Sequence, residues 1–549
     1  MEHSLLHGFQ LTGLIVALGG PVFVLGLLLP ACRRLGPEPA RDGLAGALSD
    51  RAARWVAVGA LTAGMATFLD LFVQVAEIQE RSPFGGVEPA LVARFATATT
   101  VGQLALARIA FLVLTAAATR VRGALRWGAI AVLGVGALWC TGLTSHAAAQ
   151  PTERIPAIAS HLAHIGAGAA WIGVLAHLLA ARSTITRLTS PPSLALIAEI
   201  VRRFSPVALA AASLLLASGV YAATRHLHTP VGLVTSAYGL TLVVKLVMVL
   251  PVLVAGFIND RIVRPNLRRL AGAPALAPGE AMPWVRLFGR MLELEVTAGV
   301  LVITIAGIVG SIAPPGEDGS LLLTARQLDA VLSPVLPRAT LVDPSLFIGA
   351  ATRTVDDLRY AELMHNWSGV FVTAMGLLWL VQGLGERSAS LAARAWPFLL
   401  VILAVFISVF ADPEVWVWRA VTFREAISDP TVVEHQLGAA MVLVMAWLGG
   451  RDRWRPARER PLGPALPLLM MMGSLLLLGH AHAGVRTNEG LGTLINVQHG
   501  VLGALGLLAG AVRWLGLRGL LPERAARTLW PLLVTALGLF LAFCYREIA

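Results

Sequence analysis

AIASHLAHIGAGAAWIGVLAHLLA, residues 157–180, decides the class of this fold. These twenty-four residues contain no Asp, Glu, Lys or Arg. Rising about 1.5 Å per residue, a helix of that length crosses the roughly 30 Å hydrocarbon core of a bilayer. Comparable runs recur from one end of the 549-residue chain to the other, and 56% of residues are hydrophobic against 14% charged. A mean hydropathy of +0.73 over such a length excludes a soluble globular domain. An open sheet cannot satisfy its backbone in lipid. The expected class is therefore all-α, a polytopic transmembrane helical bundle.

Working outward from 157–180, apolar spans are expected at 7–30, 54–76, 98–118, 126–145, 204–224, 235–258 and 288–312. After a polar stretch come 361–384, 396–411, 433–449, 463–481, 493–514 and 528–545, for about fourteen transmembrane helices in all. Orientation follows from arginine, which accumulates in cytoplasmic loops. Of 42 arginines, 29 fall in alternate loops and 12 in the opposite set, so both termini are expected outside, N-out and C-out. MEHSLLHGFQ at the start has no basic run and reads as a retained first helix, not a cleaved signal peptide. The expected division is an eight-helix membrane domain over 1–315, a periplasmic connector over 316–359 and a six-helix membrane domain over 360–549. The net charge of +11 lies largely in the arginine-rich loops, so the implied partner is the lipid bilayer and not nucleic acid. Cys32, Cys140 and Cys544 are scattered without a Cys-x-x-Cys, which indicates neither a disulfide framework nor a thiolate site.

Twelve of the thirteen histidines map to the outer ends of these spans. Imidazole is the commonest protein metal ligand and suits copper, zinc, iron and nickel. His161 and His164 are three apart and share a helical face. His146 sits at the same level across a short loop, and His226 and His228 follow the sixth span. Three neighbouring helix ends thus offer five imidazoles; the plainer reading has them bonding to water and headgroups. His3 and His7 belong to the same outer layer, whereas His177 reads as an ordinary polar residue near the cytoplasmic end. Lys245, the chain's one lysine, falls inside the seventh span. An ammonium in hydrocarbon is expensive, so Glu293 or Glu295 in span eight is its expected partner, and Asp70 is expected to pair with Arg108.

The same residues carry a resemblance. TSHAAA, HLAHIGAGAAWIG, FSPVALAAASLLLASGVY, SAYGLTLVVKL and LELEVTAGVLVITIAGIVGSIAPP occur in the order typical of the bacterial CopD copper-resistance family. The likeness covers about residues 140–315 and is looser over the first four spans. It implies an inner-membrane protein handling periplasmic copper, often described as copper import, with His146, His161, Trp171, Tyr238, Lys245 and Glu293 at characteristic positions. The family usually reads Trp-x-Gly-Gly where this chain has Trp171-Ile172-Gly173-Val174, which predicts a less close helix contact at that point.

The second half resembles, more weakly, a six-helix module found in longer family members. It has its own outer histidines: His365, His435, His480, His482 and His499, on four helices expected to converge on one pocket. Met375, Met445 and Met470 lie ten residues inward of a histidine, with Met441 nearby. Thioethers suit Cu(I), so they are a candidate soft-ligand route; methionine also fills irregular cores. No nucleophile–base pair stands out, and no enzymatic activity is expected. The leading expectation is a protein that captures copper on outer-face histidines and moves it into or across the membrane. The alternatives are a membrane b-type cytochrome with haem held by facing histidines, and copper delivery to a cuproenzyme, or exchange with a periplasmic copper-binding protein, without net transport.

Overall fold

The computed structural model describes residues 2–79, 83, 86–149, 153–182, 191–272, 279–316, 318–348, 354–382, 386–416, 420–453, 463, 465–479 and 489–548. Among them there is no strand. Twelve helices are long and apolar enough to cross a membrane. In the first half they are α1 (His3–Leu35), α2 (Asp42–Ile78), α3 (Thr100–Ala118), α4 (Leu125–Leu143), α5 (Arg154–Ala180), α6 (Pro192–His226), α7 (Ala237–Ala271) and α8 (Met282–Val309). The second half has α9 (Val355–Val381), a shorter apolar helix α10 (Arg394–Phe410), α11 (Pro430–Arg451) and a second shorter one, α12 (Ala465–Gly479). It closes with α13 (Gly490–Leu517) and α14 (Glu523–Phe543). The two short helices occupy the places of the remaining two expected spans. The chain is thus an all-helical, multi-pass membrane protein.

Several helices outrun the sequence expectation at their arginine-bearing ends. Helix α2 has 37 residues and α6 and α7 have 35 each. At about 1.5 Å per residue these exceed the hydrocarbon core by some 20 Å. The overhangs are held by arginine–carboxylate contacts. Glu199 on α6 gathers Arg34, Arg202 and Arg203, and Asp260 on α7 gathers Arg264 and the Ser205 hydroxyl.

Helix α1 is the hub of the first half, packing against α2, α4, α5 and α8. Lipid tails are as apolar as leucine, so membrane helices associate through close packing at small residues. Three glycine pairs supply it on α1. Gly8 meets Gly307 of α8, Gly13 meets Gly59 of α2, and Gly19 meets Gly173 of α5; Gly13, Gly19, Gly59, Gly173 and Gly307 have no room for a Cβ, and at Gly8 one would press on Thr304 at 3.2 Å. The close contact at Gly173 therefore exists without the family's second glycine, contrary to the expectation drawn from Val174. Gly173 faces α1, and Val174 packs fully buried beside it.

Pro21 lies inside α1 and lacks an N–H, and a π-helical turn over Val22–Leu28 follows it. At this irregularity the Nε2 of His177 donates to the Val16 carbonyl at 2.9 Å, with the ring stacked on Phe23. His177 is 2% exposed. It is a buried donor to the backbone of the hub helix, not the ordinary polar residue expected.

The halves meet where Val244 and Met248 of α7 and Ile308 of α8 pack on Met471 and Leu475 of α12 and Trp514 of α13. The connector crosses both. Leu323 N–H donates to the Thr235 carbonyl, Val335 N–H to Phe543, and Trp367 Nε1 to Arg338 within the connector.

Inserting a side chain at an α1 crossing is expected to overpack it at a cost of about 1–3 kcal/mol. Gly13→Leu should lower the melting temperature of the detergent-purified protein. Gly128→Leu, where nothing lies within 4 Å, should leave it unchanged. Equal melting of the two variants would show that α1 does not organise the bundle.

Candidate metal-handling cavity

The packing of α1 to α8 leaves a cavity of about 500 Å³ toward one end of the first half, and each of the eight helices contributes to its wall. Five imidazoles line it: His3 and His7 from α1, His161 and His164 from α5, and His226 from the end of α6. Of the five expected first-half ligands the structure brings together His161, His164 and His226. His228 lies exposed in the turn after α6 and is not on the wall. His146 opens the short helix His146–Ala149, and its side chain lies outside the described residues. Sequence reasoning placed His3 and His7 in the outer layer but not in the site. Their signal was available in their level, yet only the α1 crossings bring them beside α5.

Two of these rings are oriented by a partner on Nδ1. The Ser218 hydroxyl donates to the Leu214 carbonyl, so it accepts from His164 Nδ1 at 2.8 Å. His3 Nδ1 donates to Asp70 Oδ1 at 2.7 Å, and Gln74 donates to the other Asp70 oxygen. Each contact leaves Nε2 as the basic nitrogen of its ring. An Nδ1–H held by a hydroxyl or carboxylate is the outer-shell arrangement that fixes metal-ligating histidines. Among the described residues no three His, Cys, Asp or Glu side chains stand close enough to enclose an ion. His226 packs against Tyr238, the ring centroids being 5.6 Å apart.

The charged residues are arranged otherwise than the sequence suggested. Lys245 lines the cavity but pairs with neither Glu293 nor Glu295. Glu293 is bound by Arg182, with Arg518 at 3.8 Å, and Glu295 accepts from Asn259 at 2.8 Å. The reason is depth. Asn259, level with Glu295, lies fourteen residues along α7 from Lys245, about 21 Å of helix. Nor do Asp70 and Arg108 form the expected ion pair. Asp70 is engaged by His3 and Gln74, while Arg108, 7% exposed, reaches the cavity with its Nε in no hydrogen bond. At the mouth Glu153 contacts Arg225 and accepts from the Tyr221 hydroxyl.

With this geometry in hand, the chain can be compared with known proteins. Residues 4–154 match the family described as copper resistance protein D-like, N-terminal domain, and residues 198–309 match copper resistance protein D. Both matches fall within the N-terminal 309 residues. Both matched segments contribute to the wall of this cavity: His7, Asp70 and Arg108 come from the first, Ser218, His226 and Lys245 from the second. The chain is also similar to the copper transport protein CutJ of Bacillus subtilis (strain 168), 28% identical over 191 residues. That match spans 35% of this chain and only 31% of the relative. No solved structure matches.

Outside the matched segments, His365 and His499 converge, their ring centroids 5.7 Å apart. Tyr545 stacks on His365 at 4.2 Å, and Glu547 lies 3.6 Å from His365 Nδ1 and accepts the Tyr545 hydroxyl. Tyr545 and Glu547 follow the last helix, and nothing in their sequence signals that they fold back. His435 is joined instead to Asp412, at 2.9 Å. His480 and His482 lie outside the described residues. Met375, Met445 and Met470 pack with Trp379, Trp396 and Trp530 in an apolar cluster, and Met441 lies near Gly473.

In the loop after α10, burial pushes the Glu414 carboxyl up to about 7 from an ordinary 4.5, with Asp412, Asp429 and Asp357 adding repulsion. The folded state thus holds this proton more tightly than the unfolded chain. Its stabilising effect is complete below about pH 4.5 and is lost as pH rises through about 7. Glu414→Gln should therefore gain melting temperature over wild type as pH rises through that window. A difference independent of pH would contradict the burial of this carboxyl.

Proposed function

We propose that this protein binds copper as cargo in the first-half cavity, on Nε2 atoms of its histidines, and moves it into or across a bacterial inner membrane. The observation that carries this reading is the single cavity walled by both copper-resistance segments and lined by five imidazoles, two of them oriented through Nδ1. His161 and His164 share a face of α5, and His3 and His7 approach from α1. Copper passing among them would exchange one imidazole for another, a step that needs no covalent chemistry from the protein. The chain is read as a binding and transport protein, not a catalyst. No observation favours haem: His365 is stacked on Tyr545 and His435 is held by Asp412.

The reading includes fourteen crossings with both termini and the cavity mouth on the periplasmic side, supported by the arginine asymmetry and by the arginine-bound overhangs. Reporter fusions after residues 120, 190, 265 and 455 should all report cytoplasm. One periplasmic report among them would invert the face on which copper is met.

Copper binding itself is tested through the outer shell. Ser218→Ala removes the acceptor that fixes His164, and Asp70→Asn removes the carboxylate that holds His3. Each is expected to weaken copper affinity about 10-fold or more while leaving the protein folded. The measurement is copper titration of purified protein, with a visible spectrum recorded alongside. Unchanged affinity in both variants together with His161→Ala would remove the cavity as the copper site.

A further inference from the structure

The cavity wall carries Asp70, Glu77 and Glu153 against Arg108, Arg225 and Lys245, but the charges are unevenly paired. Asp70 is committed to His3 and Gln74, Glu153 to Arg225, and Glu77 lies exposed at the rim. Two cations remain. Arg108 of α3 is 7% exposed, with its Nε in no hydrogen bond and Asp70 as the nearby charge. Lys245 of α7 lines the same space, and its expected carboxylates lie at the other end of the bundle. A buried cation that no carboxylate contacts directly is costly, so both walls favour negative charge from something that enters. The volume points the same way. About 500 Å³ far exceeds what an ion coordinated directly by side chains needs, and falls in the range of small-molecule sites.

We propose that the cavity takes copper as a chelate with a small polycarboxylate, the metal meeting the imidazoles and the carboxylates meeting Arg108 and Lys245. This rests on the copper-binding reading above and adds the chemical class in which the cargo arrives. Guanidinium offers a planar fork that matches a carboxylate in two hydrogen bonds, and ammonium adds a compact second charge. The two cations come from different helices, so a ligand with more than one carboxylate meets both. The copper–imidazole bonds set affinity for the metal; the cations select for the charge of its carrier.

The test uses the full chain in lipid nanodiscs, equilibrated with copper(II) and carbon-14 citrate. Citrate should be retained together with copper, and much less without it. Arg108→Gln and Lys245→Gln should each weaken citrate retention about 30-fold. Copper supplied in a weakly coordinating buffer should bind wild type and both variants within about threefold. Arg108→Lys keeps the charge without the fork and should recover part of the loss. For a measure independent of any variant's folding, excess unlabelled tricarballylate supplied with copper should displace labelled citrate from the wild-type chain. Copper retained without citrate overturns the chelate and leaves the copper reading intact, as does citrate retained equally by the variants or not displaced by tricarballylate. Retention of neither copper nor citrate overturns the copper reading itself.

Discussion

The close approach of α1 to its neighbours is the constraint on which the rest depends. In lipid no hydrophobic force drives helices together, so contact distance decides association. Glycines at 8, 13 and 19 let three different helices reach the α1 backbone, each through a glycine of its own. Once α2, α5 and α8 are drawn onto one helix, the level of every polar group on them is fixed. His3 arrives beside Asp70, His7 joins the wall shared by His161 and His164, and the irregular backbone after Pro21 comes within reach of His177.

That arrangement separates two kinds of polar group in the membrane. At the arginine-rich end, carboxylates are saturated by guanidiniums, and the contacts there tie helices together. In the cavity Asp70 orients His3 and Glu153 holds Arg225 at the mouth, while Arg108 and Lys245 make no direct ion pair among the described residues. An oriented imidazole and an uncompensated cation both carry a cost that a folded protein offsets elsewhere. The apolar packing of the hub supplies that offset while keeping the cavity open.

The second half follows the same packing rule with a different result. Gly369 and Gly376 of α9 admit Ala542 and Thr535 of α14, and the chain after α14 then folds back over His365 and His499. There the histidines are packed against Tyr545 in place of an open space. Two halves with similar histidines near helix ends thus differ in whether a cavity stands beside them.

From the sequence alone came the all-helical class, the positions of the apolar runs and the placing of His161, His164 and His226 at neighbouring helix ends. These are properties of periodicity and depth, which a single chain displays without knowing its neighbours. The partners of its charges were not legible. Lys245 and Glu295 belong to consecutive helices, yet antiparallel packing sets them about 21 Å apart along the axis, and Arg108 lost Asp70 to a histidine 67 residues before it. Nor did the sequence reveal that His3 and His7 share the cavity, that Gly173 alone makes a close contact, or that Tyr545 covers the second histidine pair. Each depends on which helix faces are in contact and at what rotation. That is decided by where small residues let backbones meet, and only the tertiary structure holds that information.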